Sequence, residues 1–333
     1  MDGGASGISM QKSGPAALFS MILLISMTSI HGVGEDGQDS VVRPESLVVV
    51  IEESIPHDSN AYTQGLTFHQ GRLFESTGLY GHSELREINP ENGSIIRNIS
   101  LDDSEFGEGI AFVGEEIVML TWTNEIAYRF QFDTFELLSN HSYDGQGWGL
   151  CHDGAQLVMS DGSDTLTFRN DTTFEVLGTV NVTLNGTPRD KLNELECIDG
   201  LVYANVYQTN EIVAIDPLNG IVLMRIDASA IRPENITSAE VLNGIAWDDQ
   251  TDSLWITGKK WPVMYRVNLT LPGEGASNTE LPDVELITDS KNGGVGGEWT
   301  STIVALLILT TVGLFLHRVG QDAMNLKDGK RNP

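Results

Sequence analysis

Basic residues are scarce in this sequence: 19 Lys and Arg stand against 47 Asp and Glu, a formal net charge of −28 at pH 7. A nucleic acid needs a basic face to neutralise its phosphates, and the chain has little with which to build one, so nucleic-acid binding is excluded. An acidic surface favours solubility instead. Histidines are few, and His57, His69, His82, His141 and His152 are scattered, without the spacings that hold a metal ion. A Gly-x-Ser-x-Gly nucleophile elbow and a phosphate-binding glycine loop are also missing. No metal and no cofactor are expected.

Cysteine is nearly absent too, with only Cys151 and Cys197. In an exported chain such a pair suggests a disulfide. Each, however, follows its own copy of a repeat by three residues, and equivalent points on neighbouring units should lie beyond the roughly 7 Å Cα separation that a disulfide spans. Two free, buried thiols are the expectation.

What the sequence does contain is a short pattern in five copies: Gln64-Gly65-Leu66, Glu108-Gly109-Ile110, Trp148-Gly149-Leu150, Glu194-Leu195-Glu196 and Asn243-Gly244-Ile245. Their successive spacings are 44, 40, 46 and 49 residues. Each copy opens an apolar run, followed by a turn, a second run ending in polar residues such as Ser160-Asp161 or Thr257-Gly258-Lys259, and a third strand-like segment. A period in the forties with several short strands per unit marks a β-propeller. The expected fold is all-β, a five-bladed β-propeller over residues 46–270 in one domain. Gln64, Glu108, Trp148, Glu194 and Asn243 would then hold equivalent places around the mouth of a central channel. Unlike polar and aromatic groups in an equal ring suit a small-molecule site.

The last unit supplies three clear strands, over 245–247, 254–257 and 264–269, where blades commonly have four. Ser46-Leu47-Val48-Val49-Val50-Ile51-Glu52-Glu53 is β-branched and belongs to no unit. It is expected to complete the fifth blade, closing the ring and covering an open edge. The segment 284–287 is its rival.

The flanks point to export. Residues 1–32 hold an apolar run behind Lys12 and suggest a signal peptide or an uncleaved signal anchor. Residues 33–45 are a linker and 271–298 a flexible stalk. Residues 299–316 form an uncharged, mostly apolar run, just long enough at about 1.5 Å per residue to cross a hydrocarbon core of about 30 Å as a transmembrane helix. Arg318, Lys327, Lys330 and Arg331 follow it, which puts the tail 317–333 in the cytoplasm and the propeller outside. Sequons at Asn92, Asn98, Asn140, Asn170, Asn181, Asn185, Asn235 and Asn268 support export. A monomer anchored in the membrane through its C-terminal helix is expected.

The polar residues of the repeat carry a resemblance. Tyr62-Thr63-Gln64-Gly65-Leu66, Phe74-Glu75-Ser76-Thr77-Gly78-Leu79-Tyr80-Gly81, Phe106-Gly107-Glu108-Gly109, Leu120-Thr121-Trp122, Gly147-Trp148-Gly149-Leu150, Leu192-Asn193-Glu194-Leu195-Glu196, Leu242-Asn243-Gly244-Ile245-Ala246 and Thr257-Gly258-Lys259 are similar to the glutaminyl-peptide cyclotransferase family of the plant and bacterial type. The likeness runs from about residue 46 to 270, and the family is itself a five-bladed propeller. It implies cyclisation of an N-terminal glutamine: the α-amine attacks its own side-chain carboxamide, giving pyroglutamate and ammonia. Nucleophile and electrophile share one residue, so the enzyme must hold the side chain folded back and move a proton between two nitrogens.

The resemblance gives Glu108 the role of proton shuttle. Trp122 and Trp148 match the family's pocket aromatics, Gln64 and Asn193 its hydrogen-bonding partners for substrate, and Tyr62 an aromatic position beside the first of these. Lys259 would meet the tetrahedral oxyanion or the substrate carbonyl. Tyr207 stands where the family pattern generally has Trp, which bears on substrate preference. Glu75 competes with Glu108 but lies at the end of a second strand and is expected to be structural. Two other classes stay open at this point. One is a non-catalytic propeller that binds peptides or glycans at the cell surface. The other is a metal-dependent lactonase or hydrolase, for which Glu108 and Glu194 offer few inward carboxylates.

Overall fold

The computed structural model describes residues 43–234 and 240–274. The signal segment, the rival strand over 284–287, the transmembrane run 299–316, the tail and Asn235 lie outside the described residues, as do most of the linker and stalk. Among the described residues the secondary structure is β apart from one 3-10 turn at Ser229–Ile231, and no helix is long and apolar enough to cross a membrane.

The described residues open with β1 (Glu45–Pro56). Next, β2 (Thr63–His69), β3 (Arg72–Thr77), β4 (Glu84–Ile88) and β5 (Ile95–Ser100) form a four-stranded antiparallel sheet. A second consists of β6 (Gly107–Val113), β7 (Glu116–Thr121), β8 (Ile126–Gln131) and β9 (Leu137–Ser142). A third consists of β10 (Leu150–His152), β11 (Leu157–Met159), β12 (Thr165–Arg169) and β13 (Val176–Asn181). A short hairpin, β14 (Thr183–Leu184) and β15 (Thr187–Pro188), precedes β16 (Leu192–Ile198), β17 (Leu201–Val206), β18 (Glu211–Asp216) and β19 (Ile221–Asp227). Last come β20 (Leu242–Asp248), β21 (Ser253–Gly258) and β22 (Val263–Thr270).

These last seven strands share one sheet with β1, in the order β16-β17-β18-β19-β1-β22-β21-β20. β1 is antiparallel to β22, with Val48 opposite Thr270 and Pro56 opposite Val263, and parallel to β19. The strand expected over 46–53 is thus longer, and besides covering the edge of the last unit it joins that unit to the one before.

Burial falls from the first strand of each group to the last. β2, β6, β16 and β20 are buried over their first five residues, whereas β5, β9 and β13 are largely exposed. The first strands neighbour one another in the order β2, β6, β10, β16, β20 and back to β2. Hydrogen bonds step round this ring. Ser76 Oγ donates to the Glu108 carbonyl (2.6 Å), Gly109 N to the Trp148 carbonyl (2.7 Å) and Ser160 Oγ to the Asn193 carbonyl (2.7 Å). Ile245 N donates to Glu194 Oε2 (2.9 Å), and Asn243 Nδ2 to the Thr63 carbonyl (2.9 Å). Apolar clusters fill the wedges between successive groups: Phe74, Ile110 and Met119 between the first and second, and Ile55, Leu66, Trp255 and Met264 between the last and the first. The polar ends of the second runs, such as Ser76 and Ser160, are therefore the pegs that fix each unit to the next.

The repeat has a geometric cause. Register slips between Thr63 and Gly65, Gly107 and Ile110, Leu192 and Leu195, and Leu242 and Ile245, near the start of each strand concerned. A bulge of this kind bends the strand and re-aims the extra side chain. The residues so treated are Gln64, Glu108, Asn193 and Asn243. The glycine that follows is required by close approach: a Cβ on Gly109 would lie 2.6 Å from Leu150 N, and one on Gly149 2.0 Å from the Asn193 carbonyl oxygen. By this register the counterpart of Glu108 in the fourth unit is Asn193, and Glu194 occupies the glycine place. That corrects the ring position expected for Glu194, whose carboxylate instead bridges to Leu66 N (3.2 Å) and Ile245 N (2.9 Å).

The expectation of free thiols is overturned as well. Cys151 and Cys197 form a disulfide with their Cα atoms 5.5 Å apart, inside the range that a disulfide can span. The one-residue correction supplies the reason. Leu150 and Leu195 are equivalent, opposite Met159 and Ala204 respectively, so Cys197 is one step out of register with Cys151. Strand side chains alternate between faces, and one step turns a side chain to the other face. Cysteines at truly equivalent places would point the same way; these two point at each other across neighbouring first strands.

Candidate active site

All the singled-out residues lie at one end of the ring. Tyr62, Gln64, Glu108, Trp148 and Asn193 stand at or just before the starts of first strands, and Trp122, Tyr207 and Lys259 just beyond the ends of second strands. Antiparallel pairing brings those two kinds of strand end together.

Glu108 is 4% exposed. Its Oε1 accepts a hydrogen bond from Gln64 Nε2 (3.1 Å), and Gln64 Oε1 in turn accepts one from Asn243 Nδ2 (3.3 Å). The relay fixes which way the Gln64 amide points, and it leaves Glu108 Oε2 without a hydrogen bond among the described residues. Burial pushes the Glu108 carboxyl well above the usual carboxylate range, with the Lys259 charge opposing it. Lys259 is also buried, and desolvation lowers its ammonium to about 8 against the pull of Glu108 and Glu240. A carboxyl and an amine, each displaced toward its neutral form, thus influence one another at the floor of the site, as acid–base chemistry near neutral pH requires. Asn193 is buried at the place equivalent to Glu108.

Around this floor the aromatic residues form a closed collar. Lys259 Nζ lies 4.6 Å from the ring centroid of Tyr62 and 5.5 Å from that of Tyr207, both within cation–π range. Tyr207 meets Trp148 edge to face at 5.5 Å. Trp122 meets Phe106 at 5.7 Å, and Phe106 meets Tyr62 at 6.0 Å, also edge to face. Between the two tryptophans stands Gln146, whose Oε1 accepts a hydrogen bond from Trp122 Nε1 (2.8 Å) and from Trp148 Nε1 (3.0 Å). The five aromatic residues of the collar are half-buried, and the Trp148 ring packs on Gly162, where a Cβ would lie 2.7 Å from it. Such a rim can enclose a short polar side chain and exclude water around a reacting amide.

Glu75 lies outside the collar in its own buried cluster. His57 Nε2 and Thr63 Oγ1 donate to its Oε1 at 2.9 and 2.7 Å, and His57 Nδ1 donates to the Trp261 carbonyl at 2.8 Å. Burial works against both charges, but the pair outweighs it, raising the imidazole and lowering the carboxyl. This is the structural part expected for Glu75. Sequence reasoning overlooked Phe106, Gln146 and Glu240. Phe106 was legible as the aromatic residue just before a bulge. Glu240, which accepts from Lys260 Nζ (2.9 Å) and hydrogen-bonds Tyr62, carries no pattern that would single it out.

A family model described as glutamine cyclotransferase matches residues 22–269. The glutaminyl-peptide cyclotransferase of Arabidopsis thaliana is 35% identical over 266 residues, 77% of this chain and 82% of that protein. The crystal structure of Myxococcus xanthus glutaminyl cyclase is similar with a TM-score of 0.65 at 39% identity, covering 68% of this chain and 98% of that one. A propeller-like ring of sheets, a buried carboxyl and amine under an aromatic collar and a match along most of the chain lead to one conclusion: the chain belongs to the glutamine cyclotransferase family.

Proposed function

We propose that the protein converts the N-terminal glutamine of peptides or proteins to pyroglutamate, with Glu108 carrying the proton. The substrate side chain enters the collar and folds back between Trp122 and Trp148, held by hydrogen bonds from Tyr62, Gln64 and Asn193. The neutral α-amine attacks the side-chain carbonyl carbon; a carbon–nitrogen bond forms and the carbonyl electron pair moves to oxygen, where the Lys259 ammonium stabilises it. Glu108 Oε2 takes the proton that the attacking nitrogen sheds and passes it to the departing nitrogen. The old carbon–nitrogen bond then breaks and ammonia leaves. The step starts from the Glu108 carboxylate, which the Lys259 charge favours against burial; burial in turn makes that carboxylate a stronger base for the amine proton, which it then returns to the departing nitrogen.

The observation that carries the reading is Glu108, buried, oriented through Oε1 by Gln64 and opposed by the charge of Lys259. The test is ammonia release from a Gln-initiated dipeptide. Glu108→Gln should lose at least about a hundredfold in kcat, and the wild-type rate should be unaffected by a chelator. Full activity in Glu108→Gln refutes the shuttle.

The same proposal includes a five-bladed propeller, since the parallel β1–β19 seam divides the largest sheet into two antiparallel groups that match the other three sheets. It includes export and membrane anchoring, supported by the apolar run 299–316 with its basic flank and by the exposed sequons Asn98, Asn140, Asn181 and Asn268. Protease treatment of intact cells should cleave the propeller and spare the tail. Sedimentation of the detergent-solubilised protein should give a monomer.

A further inference from the structure

We propose that Gln146 is a positioning residue of this site, a clamp that sets the distance and angle between the two tryptophans through a single carbonyl oxygen. The inference rests on the reading of Trp122 and Trp148 as the substrate's walls. A side-chain carbonyl has two lone pairs, and Gln146 Oε1 spends both, accepting from Trp122 Nε1 at 2.8 Å and Trp148 Nε1 at 3.0 Å. Two indoles that share one acceptor are no longer independent. Each ring can pivot about its own side-chain bonds, but a common hydrogen-bond partner fixes the separation of the two nitrogens and so the width of the slot between the rings.

The backbone that presents Gln146 is held for this purpose. Gly145 has φ of +93°, a conformation that favours glycine, and its N–H donates to Glu125 Oε1 at 3.0 Å. Gly147 N donates to the carbonyl of Trp122 itself at 3.1 Å, and a Cβ at Gly147 would lie 2.3 Å from the Tyr143 hydroxyl oxygen. Gln146 is therefore carried on a turn tied to one tryptophan's main chain, two residues before the other tryptophan. The residue is exposed, so its side chain is not required to fill a core. The rest of the collar closes through ring contacts and Lys259. The gap between Trp122 and Trp148 is the segment closed by a hydrogen-bonding side chain.

The chemistry predicts a particular kinetic signature. Gln146→Met removes the acceptor while keeping length. Both indole N–H groups can turn to water, so the thermal midpoint should stay within about 2 °C of wild type, while KM for a Gln-initiated peptide rises about tenfold and kcat changes less than threefold. Gln146→Glu keeps an acceptor oxygen, and a charged one, and should restore KM to within twofold. Trp122→Ala and Trp148→Ala, measured alongside, should each raise KM by more than tenfold. If both alanine variants raise KM but Gln146→Met does not, the clamp is wrong and the walls stand. If none of the three raises KM, the reading of the walls fails and takes the clamp with it. A raised KM in Gln146→Met that Gln146→Glu does not restore also overturns the clamp, since shape rather than the acceptor is then what matters.

Discussion

Gln64 Nε2 donates to Glu108 Oε1 at 3.1 Å, while the other end of the same amide is held by Asn243. The carboxyl is thereby held through Oε1, and in the proposed mechanism Oε2 is the oxygen that takes the proton. Replacing Gln64 by leucine should leave Glu108 buried but unoriented. We expect kcat to fall about tenfold, in line with the loss of roughly one hydrogen bond to a functional group, with a smaller change in KM. Asn243→Leu should produce a weaker effect of the same kind, because it acts one bond further away. Steady-state kinetics of both variants on one peptide decides the matter, and an undiminished kcat in Gln64→Leu removes this relay from the mechanism.

Lys259 sets an expected limit at alkaline pH. Burial lowers its ammonium to about 8, so the charge is present below that pH and is lost as pH rises through it. If that charge stabilises the oxyanion, kcat/KM should decline above about pH 8 even though the substrate amine becomes a better nucleophile there. Lys259→Met should be slower by about a hundredfold or more, and its profile should lack the decline. Persistence of the same alkaline limb in the variant assigns it to another group.

The Cys151–Cys197 bridge closes a loop with a sequence separation of 46 residues. On a chain-entropy model a loop of that length is worth about 4 kcal/mol to the folded state. Cys151→Ala should lower stability by an amount of that order in urea titrations under oxidising conditions, and should match wild type under reducing ones. Intact mass after alkylation should show no modified cysteine until a reductant is added. A labelled thiol in the untreated protein contradicts the bridge.

Deletion of residues 46–53 removes most of β1, and with it the pairing that joins β19 to β22. The truncated chain should lose its cooperative thermal transition, since two sheet edges would be opened at once. A sharp transition near the wild-type midpoint would show that the seam is dispensable.

Much of this architecture was legible in the sequence, for a physical reason. First strands are largely buried, so each begins with a polar or aromatic residue, a second residue that is small where backbones touch, and an apolar run; glycine takes the second place in four of the five units, and Glu194 takes it in the fourth. The closing strand could be found because the last unit was short of one. Glu108, Lys259 and the two tryptophans were reachable through their motifs. What escaped was whatever depends on register. Glu194 was matched to Glu108, although the bulge between Leu192 and Leu195 gives that place to Asn193. The same slip concealed the disulfide. Gln146 was invisible because its role comes from two donors arriving from different strands, and Glu240 because a carboxylate before a strand has many ordinary explanations.

The antiparallel pairing of β1 with β22 also decides where the two ends of the described domain lie. Val48 lies opposite Thr270, so the chain enters and leaves this domain at one corner. Both strands have their other ends, Pro56 and Val263, on the side of the ring that carries the collar. The corner is therefore on the opposite face. Neither the start of β1 nor the end of β22 crowds the collar.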